Sequence, residues 1–121
     1  MKTILVIDDD ELTLEVLKKA LAGNGYEVLT ANNGKEGIAA YNERRTDLII
    51  TDLLMPETSG LGVIEQLKRD FPSAKIFAIT AGTSETGNDF LKMSSFLGAG
   101  RTFRKPLDHD SLLKAVNEEI G

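Results

Sequence analysis

The chain has 121 residues, of which 41% are hydrophobic and 27% charged, and its formal net charge is -5. These values are typical of one globular domain that is long enough to bury a hydrophobic core. The 14 basic residues are scattered along the chain, so direct nucleic-acid binding is not expected. The sequence contains no cysteine, which excludes disulfides, thiolate catalysis and cysteine metal sites. The apolar start ends at Asp8 and is too short for a signal peptide or membrane span, so we expect a cytoplasmic protein without membrane contact.

Apolar segments rich in β-branched residues alternate with helical patterns along the chain. Strands buried on both faces are continuous apolar runs, whereas amphipathic helices repeat apolar residues every three or four positions. On these criteria, the sequence predicts strands at 3–7, 27–31, 48–52, 75–80 and 101–104, alternating with helices at 11–22, 34–43, 60–70, 90–97 and 108–120.

Three details of this pattern are specific predictions. Asp10 is the predicted N-cap of the first helix, and the inward stripe of that helix is predicted to contain Leu14, Leu17, Leu21, Val16 and Ala20. The polar, glycine-containing segment 82–89 has no apolar period, so it is predicted to be a mobile loop.

Five strand–helix units without linker or repeat predict an α/β fold, a doubly wound (βα)5 parallel sheet with right-handed crossovers. We expect residues 1–121 to form this single domain, with no second domain in the chain. Of the two common strand orders, 2-1-3-4-5 suits five strands. The second strand is short and polar, as an edge strand would be. This order puts the carboxyl ends of strands one, three, four and five in one row.

Charged and hydroxyl residues follow each of those four strands, and they form the candidate site. They are the triplet at 8–10, Asp52 before the strand-breaking Pro56, Thr80 and Lys105. At ~4 Å and an effective dielectric of ~20, two carboxylates repel by roughly 4 kcal/mol, so such a cluster needs a proton or a cation. Carboxylate oxygens without histidine or cysteine suit Mg²⁺. The hydroxyl and the ammonium suit a phosphoryl group, for which Asp52 would be the nucleophile.

Four motifs carry a resemblance to a known family over essentially the full chain. They are Ile-Leu-Val-Ile-Asp-Asp-Asp at 4–10, Asp-Leu-Leu-Met-Pro at 52–56, Ile-Thr-Ala at 79–81 and Lys-Pro at 105–106. With them, the chain resembles the receiver domains of two-component response regulators, the CheY-like superfamily with a flavodoxin-like fold. Each motif is short, but the four in order, each at a predicted strand end, are specific.

The resemblance implies a role for each matching residue. Asp52 would accept the phosphoryl group, and Asp9 and Asp52 would bind Mg²⁺ together with the backbone carbonyl of Leu54, with Asp8 acting through a water. Lys105 would contact a phosphoryl oxygen and precede a cis proline. Thr80 would swing inward to the phosphoryl group and pull the segment 82–89 with it.

The same resemblance implies the partners. The donor would be a phosphohistidine on a sensor histidine kinase or a histidine phosphotransfer protein. A downstream protein would bind the face formed by the fourth helix, fifth strand and fifth helix. The domain would catalyse only its own phosphorylation and dephosphorylation, so it is not expected to be an enzyme acting on a separate substrate.

Three positions of the sequence matter for what the resemblance implies. The position three before Lys105 usually holds an aromatic ring; here it is Thr102, and Phe103 should point to the opposite face of its strand, which puts the ring-coupled switch in doubt. Leu54 and Gly82 occupy positions that tune hydrolysis in such domains, and neither side chain can orient a water. Slow autodephosphorylation is therefore expected.

Some of these residues also admit other interpretations. The aspartates at 8–10 could be a capped turn, but capping explains Asp10 better than all three. His109 could be a phosphodonor, although its place between two aspartates favours a solvated histidine. The alternative functions are a degenerate receiver that works by protein contact without phosphorylation, an aspartyl-nucleophile phosphatase and a flavodoxin-like cofactor carrier. The phosphatase would need a second acid where Leu54 stands, and the carrier a phosphate-binding loop where the aspartates stand.

Overall fold

The computed structural model describes residues 1–55, 59–81 and 84–121, with side chains except at 84–88 and 90. Strands and helices alternate strictly along these residues. In chain order the elements are β1 Thr3–Ile7, α1 Glu11–Ala22, β2 Glu27–Ala31, α2 Gly34–Glu43, β3 Leu48–Asp52, α3 Gly60–Asp70, β4 Ile76–Thr80, α4 Ser84–Leu97, β5 Arg101–Arg104 and α5 His109–Ile120.

The strands form one parallel sheet in the order β2-β1-β3-β4-β5. This confirms the predicted doubly wound fold and its strand order, with the polar β2 at one edge. The register pairs Ile7 with Thr51 and Asp52 with Ile79. Strands β1, β3 and β4 therefore end side by side, and the residues that follow them share one edge of the sheet.

The sheet separates two apolar cores, because successive side chains of a strand point to opposite faces. Along β1, Ile4 and Val6 belong to the core under α1 and α5, whereas Leu5 and Ile7 belong to the core under α2, α3 and α4. All five β1 residues are buried. Strands β3 and β4 are buried in the same way, which explains why these three central strands are apolar runs rather than alternating patterns.

The prediction for the segment 82–89 was wrong over most of its length. Helix α4 begins at Ser84 rather than at 90, so 84–89 is helical, while 82 and 83 lie outside the described residues. Smaller differences occur at β4, which begins at Ile76 rather than at 75, and at α5, where Asp108 is the N-cap instead of the first helical residue. Pro56, predicted to end the third strand, also lies outside the described residues.

The predicted stripe of α1 was correct for its leucines and wrong for Val16. Leu14, Leu17 and Leu21 are buried, whereas Val16 is 39% exposed. Two residues along a helix correspond to about 200° of rotation, so Val16 cannot share the inward face with Leu14. Asp10 caps this helix as predicted, since its side chain accepts a hydrogen bond from the Leu12 N–H.

No helix within the described ranges is both long and apolar enough to cross a membrane.

Candidate functional site

One lysine side chain joins two buried carboxylates at the carboxyl edge of the sheet. Lys105 Nζ lies 2.9 Å from Asp8 Oδ2 and 3.3 Å from Asp52 Oδ2. Asp8 is 1% exposed and Asp52 is 4% exposed. The topology produces this meeting, because Asp8 follows β1, Asp52 ends β3 and Lys105 follows β5. The structure thus brings together three of the residues that the sequence predicted for the site.

Backbone amides hold the other oxygen of each buried carboxylate. The Asp10 N–H donates to Asp8 Oδ1 at 2.9 Å, and the Leu54 N–H donates to Asp52 Oδ1 at 3.1 Å. Each carboxylate therefore has one oxygen fixed by the loop that follows its strand and one oxygen directed to Lys105. A hydrogen bond to every oxygen offsets much of the free energy that burial of two charges costs.

Burial and neighbouring charges together determine the pKa values of Asp52 and Lys105. Burial, and then the neighbouring charge of Asp8, raise the pKa of Asp52 from 3.8 to about 6. Burial alone would lower the pKa of Lys105, but the hydrogen bond to Asp8 and the charges of Asp52 and Asp8 outweigh it and raise that pKa. At neutral pH Asp52 is therefore largely ionised, and Lys105 carries its positive charge.

A third carboxylate completes a group that fits a metal ion. Asp8, Asp9 and Asp52 each offer an oxygen, and these atoms all lie within 4.8 Å of one another; Asp9 is exposed. Carboxylate oxygens are the donors that Mg²⁺ prefers, and a partly exposed cluster leaves room for the waters that this ion keeps. The residues present therefore fit the ion that the sequence predicted. The group does not include Asp10, whose oxygens accept hydrogen bonds from the Leu12 N–H and the Thr13 hydroxyl at the start of α1.

Thr80 is fully buried at the end of β4 and is linked to Lys105 through the backbone. The carbonyl oxygen of Thr80 accepts a hydrogen bond from the Lys105 N–H at 2.8 Å. The Lys105–Pro106 peptide bond is cis, as the resemblance implied. Leu54 is 38% exposed beside Asp52, whereas Gly82 lies outside the described residues.

Thr102 and Phe103 of β5 lie on opposite faces of the sheet. Thr102 occupies the position at which similar domains usually have an aromatic residue. Phe103 packs against Phe77, with ring centroids 5.5 Å apart, in the core under α1 and α5. Thr102 pairs with Ala78, whose side chain belongs to the other core. Phe103 thus points away from the face on which Thr102 lies, as predicted.

An apolar groove beside the site was not predicted from the sequence. It has a volume of about 210 Å³, and its lining includes Leu12, Val16, Lys105, Pro106 and Leu107. Leu12 is 66% exposed. The signal in the sequence was Leu12 alone, a leucine outside the predicted inward stripe of α1, because Val16 had been assigned to that stripe. Large apolar side chains that face solvent side by side often mark an interaction site.

Comparisons with known proteins agree with this geometry. The family model described as response regulator receiver domain matches residues 4–117. Protein PilH of Pseudomonas aeruginosa is 31% identical over 121 residues, covering 100% of this chain and 99% of PilH.

Solved structures show the same likeness. A CheY-like receiver domain from Methanospirillum hungatei superposes with a TM-score of 0.92 at 28% identity, covering 99% of this chain and 94% of that one. The response regulator TrrA of Thermotoga maritima, described in complex with Mg²⁺ and BeF, has a TM-score of 0.86 at 36% identity, with 98% of both chains covered.

Proposed function

We propose, because the chain belongs to the response regulator receiver domain family, that Asp52 accepts a phosphoryl group from a partner phosphohistidine and so switches the domain between two signalling states. The observation that carries the proposal is the meeting of Asp8, Asp52 and Lys105 at one sheet edge, with Asp9 within reach. Residues 1–121 would act as one receiver domain, in the cytoplasm, where kinases find ATP.

The reaction follows from the chemistry of these side chains. A carboxylate oxygen of Asp52 attacks the phosphorus and the bond between phosphorus and the donor imidazole nitrogen breaks. The imidazole, which carries a proton on its other ring nitrogen, keeps the electron pair and leaves as a neutral ring. The product is an acyl phosphate on Asp52 and a neutral histidine on the partner. Because burial raises the pKa of Asp52 only to about 6, the nucleophile is mainly ionised at neutral pH.

A divalent cation suits this reaction because a phosphoryl group brings further negative charge to an acidic cluster. Asp9, Asp52 and the Leu54 carbonyl would hold Mg²⁺ directly, and Asp8 would hold it through a water. When bound, the ion neutralises charge on the phosphoryl oxygens and orients them. The Lys105 ammonium would contact a further oxygen, since its Nζ already lies 3.3 Å from Asp52 Oδ2.

The switch would involve Thr80, whose hydroxyl would turn to the phosphoryl group. Its carbonyl is bonded to the Lys105 N–H at 2.8 Å, so the two phosphate-binding residues share one piece of backbone. With Thr102 on β5 instead of an aromatic residue, the change would reach α4 without the usual ring movement.

Two surfaces would serve the partners. The donor, a sensor histidine kinase or a histidine phosphotransfer protein, must bring its imidazole to Asp52, and the apolar groove of Leu12, Val16, Pro106 and Leu107 lies beside that point. The face formed by α4, β5 and α5 would bind a downstream protein, as in similar domains.

The test is phosphorylation by a small donor. We expect acetyl phosphate and Mg²⁺ to add the mass of one phosphoryl group to the wild-type protein and to an Asp70→Ala control, which changes an exposed aspartate of α3. Asp52→Ala should show no added mass. If neither acetyl phosphate nor a beryllofluoride analogue reacts with the wild-type protein, the degenerate receiver is favoured. Continuous release of phosphate from small esters would indicate a phosphatase instead.

A further inference from the structure

Lys68, in the last turn of α3, connects that helix to the residues before β4 and to the end of α4. Its Nζ donates hydrogen bonds to the Pro72 carbonyl at 3.1 Å and to the Ala74 carbonyl at 2.7 Å. The aliphatic part of the same side chain lies against Gly98, because a Cβ atom at position 98 would come within 2.7 Å of Lys68 Cε and 2.9 Å of Lys68 Cγ. One lysine therefore holds three segments of the chain together.

The turn that follows α4 is also bonded to the sheet. The Ala99 N–H donates to the Ser94 carbonyl at 2.9 Å, and the Gly100 N–H donates to the Ile76 carbonyl of β4 at 2.8 Å. Ser94 and Ala99 are buried, whereas Asp89, nearer the start of the helix, is exposed. Among the side chains that the structure describes in α4 and this turn, the buried ones thus belong to the C-terminal end.

We propose that Lys68 makes the C-terminal end of α4 a fixed pivot, so that phosphorylation of Asp52 turns the helix about residues 97–99 and displaces mainly its N-terminal turns. The proposal rests on the proposed function, in which the domain has two signalling states. Lys68 would be a positioning residue, because the carbonyls that it binds precede β4 and so lie at the edge of the sheet opposite to the acceptor. The N-terminal turns of α4 follow Thr80 in the chain, so the displacement would be largest next to the switch.

A pivot has a geometric signature along the helix. Each helical residue adds about 1.5 Å, so position 96 lies about 3 Å and position 89 about 13.5 Å from Gly98 along α4. Rotation about a fixed end displaces each position in proportion to this distance. Position 89 should therefore move about four times as far as position 96, whereas a helix that slides as a whole moves both positions equally.

The absence of cysteine from the chain allows this signature to be measured with spin labels. Asp89→Cys and Phe96→Cys place labels at two exposed positions two helical turns apart, on the same side of α4. Each is paired with a label at Lys19→Cys on α1, where the side chain is 80% exposed. Electron paramagnetic resonance measures the two distances with and without Mg²⁺ and beryllofluoride. We expect the change at position 89 to be about four times the change at position 96.

Variants of Lys68 test whether this residue makes the pivot. Lys68→Met keeps the aliphatic stem and removes the ammonium, so the changes at the two positions should become about equal. Lys68→Arg keeps donors for both carbonyls and should restore the fourfold ratio. Arg69→Met is the matched control, because Arg69 is the next residue of the same helical turn and its ion pair is with the adjacent Asp70.

The anchor can also be measured without phosphorylation. Hydrogen exchange of the Ala99 and Gly100 amides should be about tenfold faster in Lys68→Met than in the wild-type protein, because the turn opens more easily once the ammonium is lost. Arg69→Met should leave both rates unchanged. An equal rise at Leu5, in the centre of β1, would show general destabilisation instead of local release and would overturn the anchor.

The outcomes separate the pivot from the proposed function. Equal changes at both labels in the wild-type protein, or unchanged exchange in Lys68→Met, would overturn the pivot and leave phosphorylation of Asp52 intact. A protein that takes a phosphoryl group from acetyl phosphate but shows no change at either label would also overturn the pivot alone. A protein that neither takes the group nor responds to beryllofluoride would overturn the proposed function, and the pivot with it.

Discussion

Gly60 lies directly against the backbone of Asp52. A Cβ atom at position 60 would overlap the Asp52 carbonyl oxygen and come within 2.5 Å of the Leu53 Cα. The Gly60 N–H also donates to the Leu53 carbonyl at 3.2 Å. The first residue of α3 is therefore packed against the strand end that presents the candidate acceptor, and any side chain there must push that strand end aside.

We expect Gly60→Ala to destabilise the fold by about 1–3 kcal/mol, as overpacking against rigid backbone does. Gly62→Ala, two residues along the same helix, should stabilise it by about 0.5–1 kcal/mol, because its Cβ meets open space and alanine favours a helix. Urea unfolding of the two variants measures the difference. Equal stability of both would contradict the close contact.

The raised pKa of Asp52 predicts a pH dependence of stability in the absence of divalent cations. Burial raises the pKa of this carboxyl from 3.8 to about 6. Between these two pH values the folded state therefore keeps a proton on Asp52 that the unfolded state has lost. The contribution of Asp52 to the free energy of unfolding is therefore fully present below pH 3.8. It falls by up to about 3 kcal/mol as the pH rises to about 6. Asp52→Asn should gain stability over the wild-type protein across this window and keep a constant advantage above it.

Asp47 provides a control of opposite sign. The hydrogen bond from the Thr3 N–H lowers the pKa of Asp47, so its contribution is present above its ordinary pKa and lost as the pH falls. Asp47→Asn should therefore be less stable than the wild-type protein at neutral pH, with the deficit shrinking in acid. Unfolding curves between pH 3.5 and 8, roughly the window over which carboxyl groups of this kind titrate, measure both variants.

Two adjacent aspartates should differ sharply in metal binding. Asp9→Asn should weaken Mg²⁺ binding by about tenfold or more, since Asp9 offers an oxygen to the acidic cluster. Asp10→Asn should change the affinity by less than about threefold, because Asp10 caps α1 and asparagine caps equally well. Calorimetric titration of both variants tests this, and equal losses would mean that only net charge matters.

The lifetime of the phosphorylated form should depend on Leu54. This side chain is 38% exposed beside Asp52 and cannot orient a water. We expect slow loss of the phosphoryl group from the wild-type protein and about tenfold faster loss from Leu54→Asn, whose amide can position the attacking water. Mass spectrometry after removal of the donor follows the decay, with Leu12→Asn as the control. A wild-type half-life of seconds with Mg²⁺ present would contradict the prediction.

The apolar groove should matter for a protein donor and not for a small one. Leu12→Ala should slow transfer from a phosphorylated kinase by about tenfold, as loss of an apolar anchor does, and should leave phosphorylation by acetyl phosphate unchanged. Phe96→Ala is the control, because Phe96 is 90% exposed on α4 whereas Leu12 is 66% exposed in the groove. A panel of purified kinases supplies the donor. Equal effects of the two changes would place the docking surface elsewhere.

Much of the fold was predictable because its strands are buried on both faces and end at charged residues. The bounds of β1 and β3 match the prediction, since the apolar run and its acidic boundary coincide there. The start of α4 did not, because 84–89 contains no apolar residue and its helical state gives no periodic signal. Such segments take their structure from tertiary context.

The composition of the site was predictable, whereas its hydrogen bonds were not. Strand order alone placed Asp8, Asp52 and Lys105 at one edge. The Lys105 ammonium lies between the Asp8 and Asp52 carboxylates because of the directions of these side chains. The pairs are separated by 97 and 53 residues of sequence, and no local pattern encodes such directions. The groove beside Leu12 was missed for a related reason, since an exposed leucine acquires meaning only from the loop that packs next to it.

The hydrogen bond between the Lys105 N–H and the Thr80 carbonyl has a mechanical consequence. It joins the backbone of Lys105 to the backbone of Thr80, so a main-chain movement at either residue moves the other. A protein that binds the end of β5 would thereby restrain the end of β4. Binding of a partner to the face formed by α4, β5 and α5 would then change how tightly Thr80 and Lys105 hold the acyl phosphate.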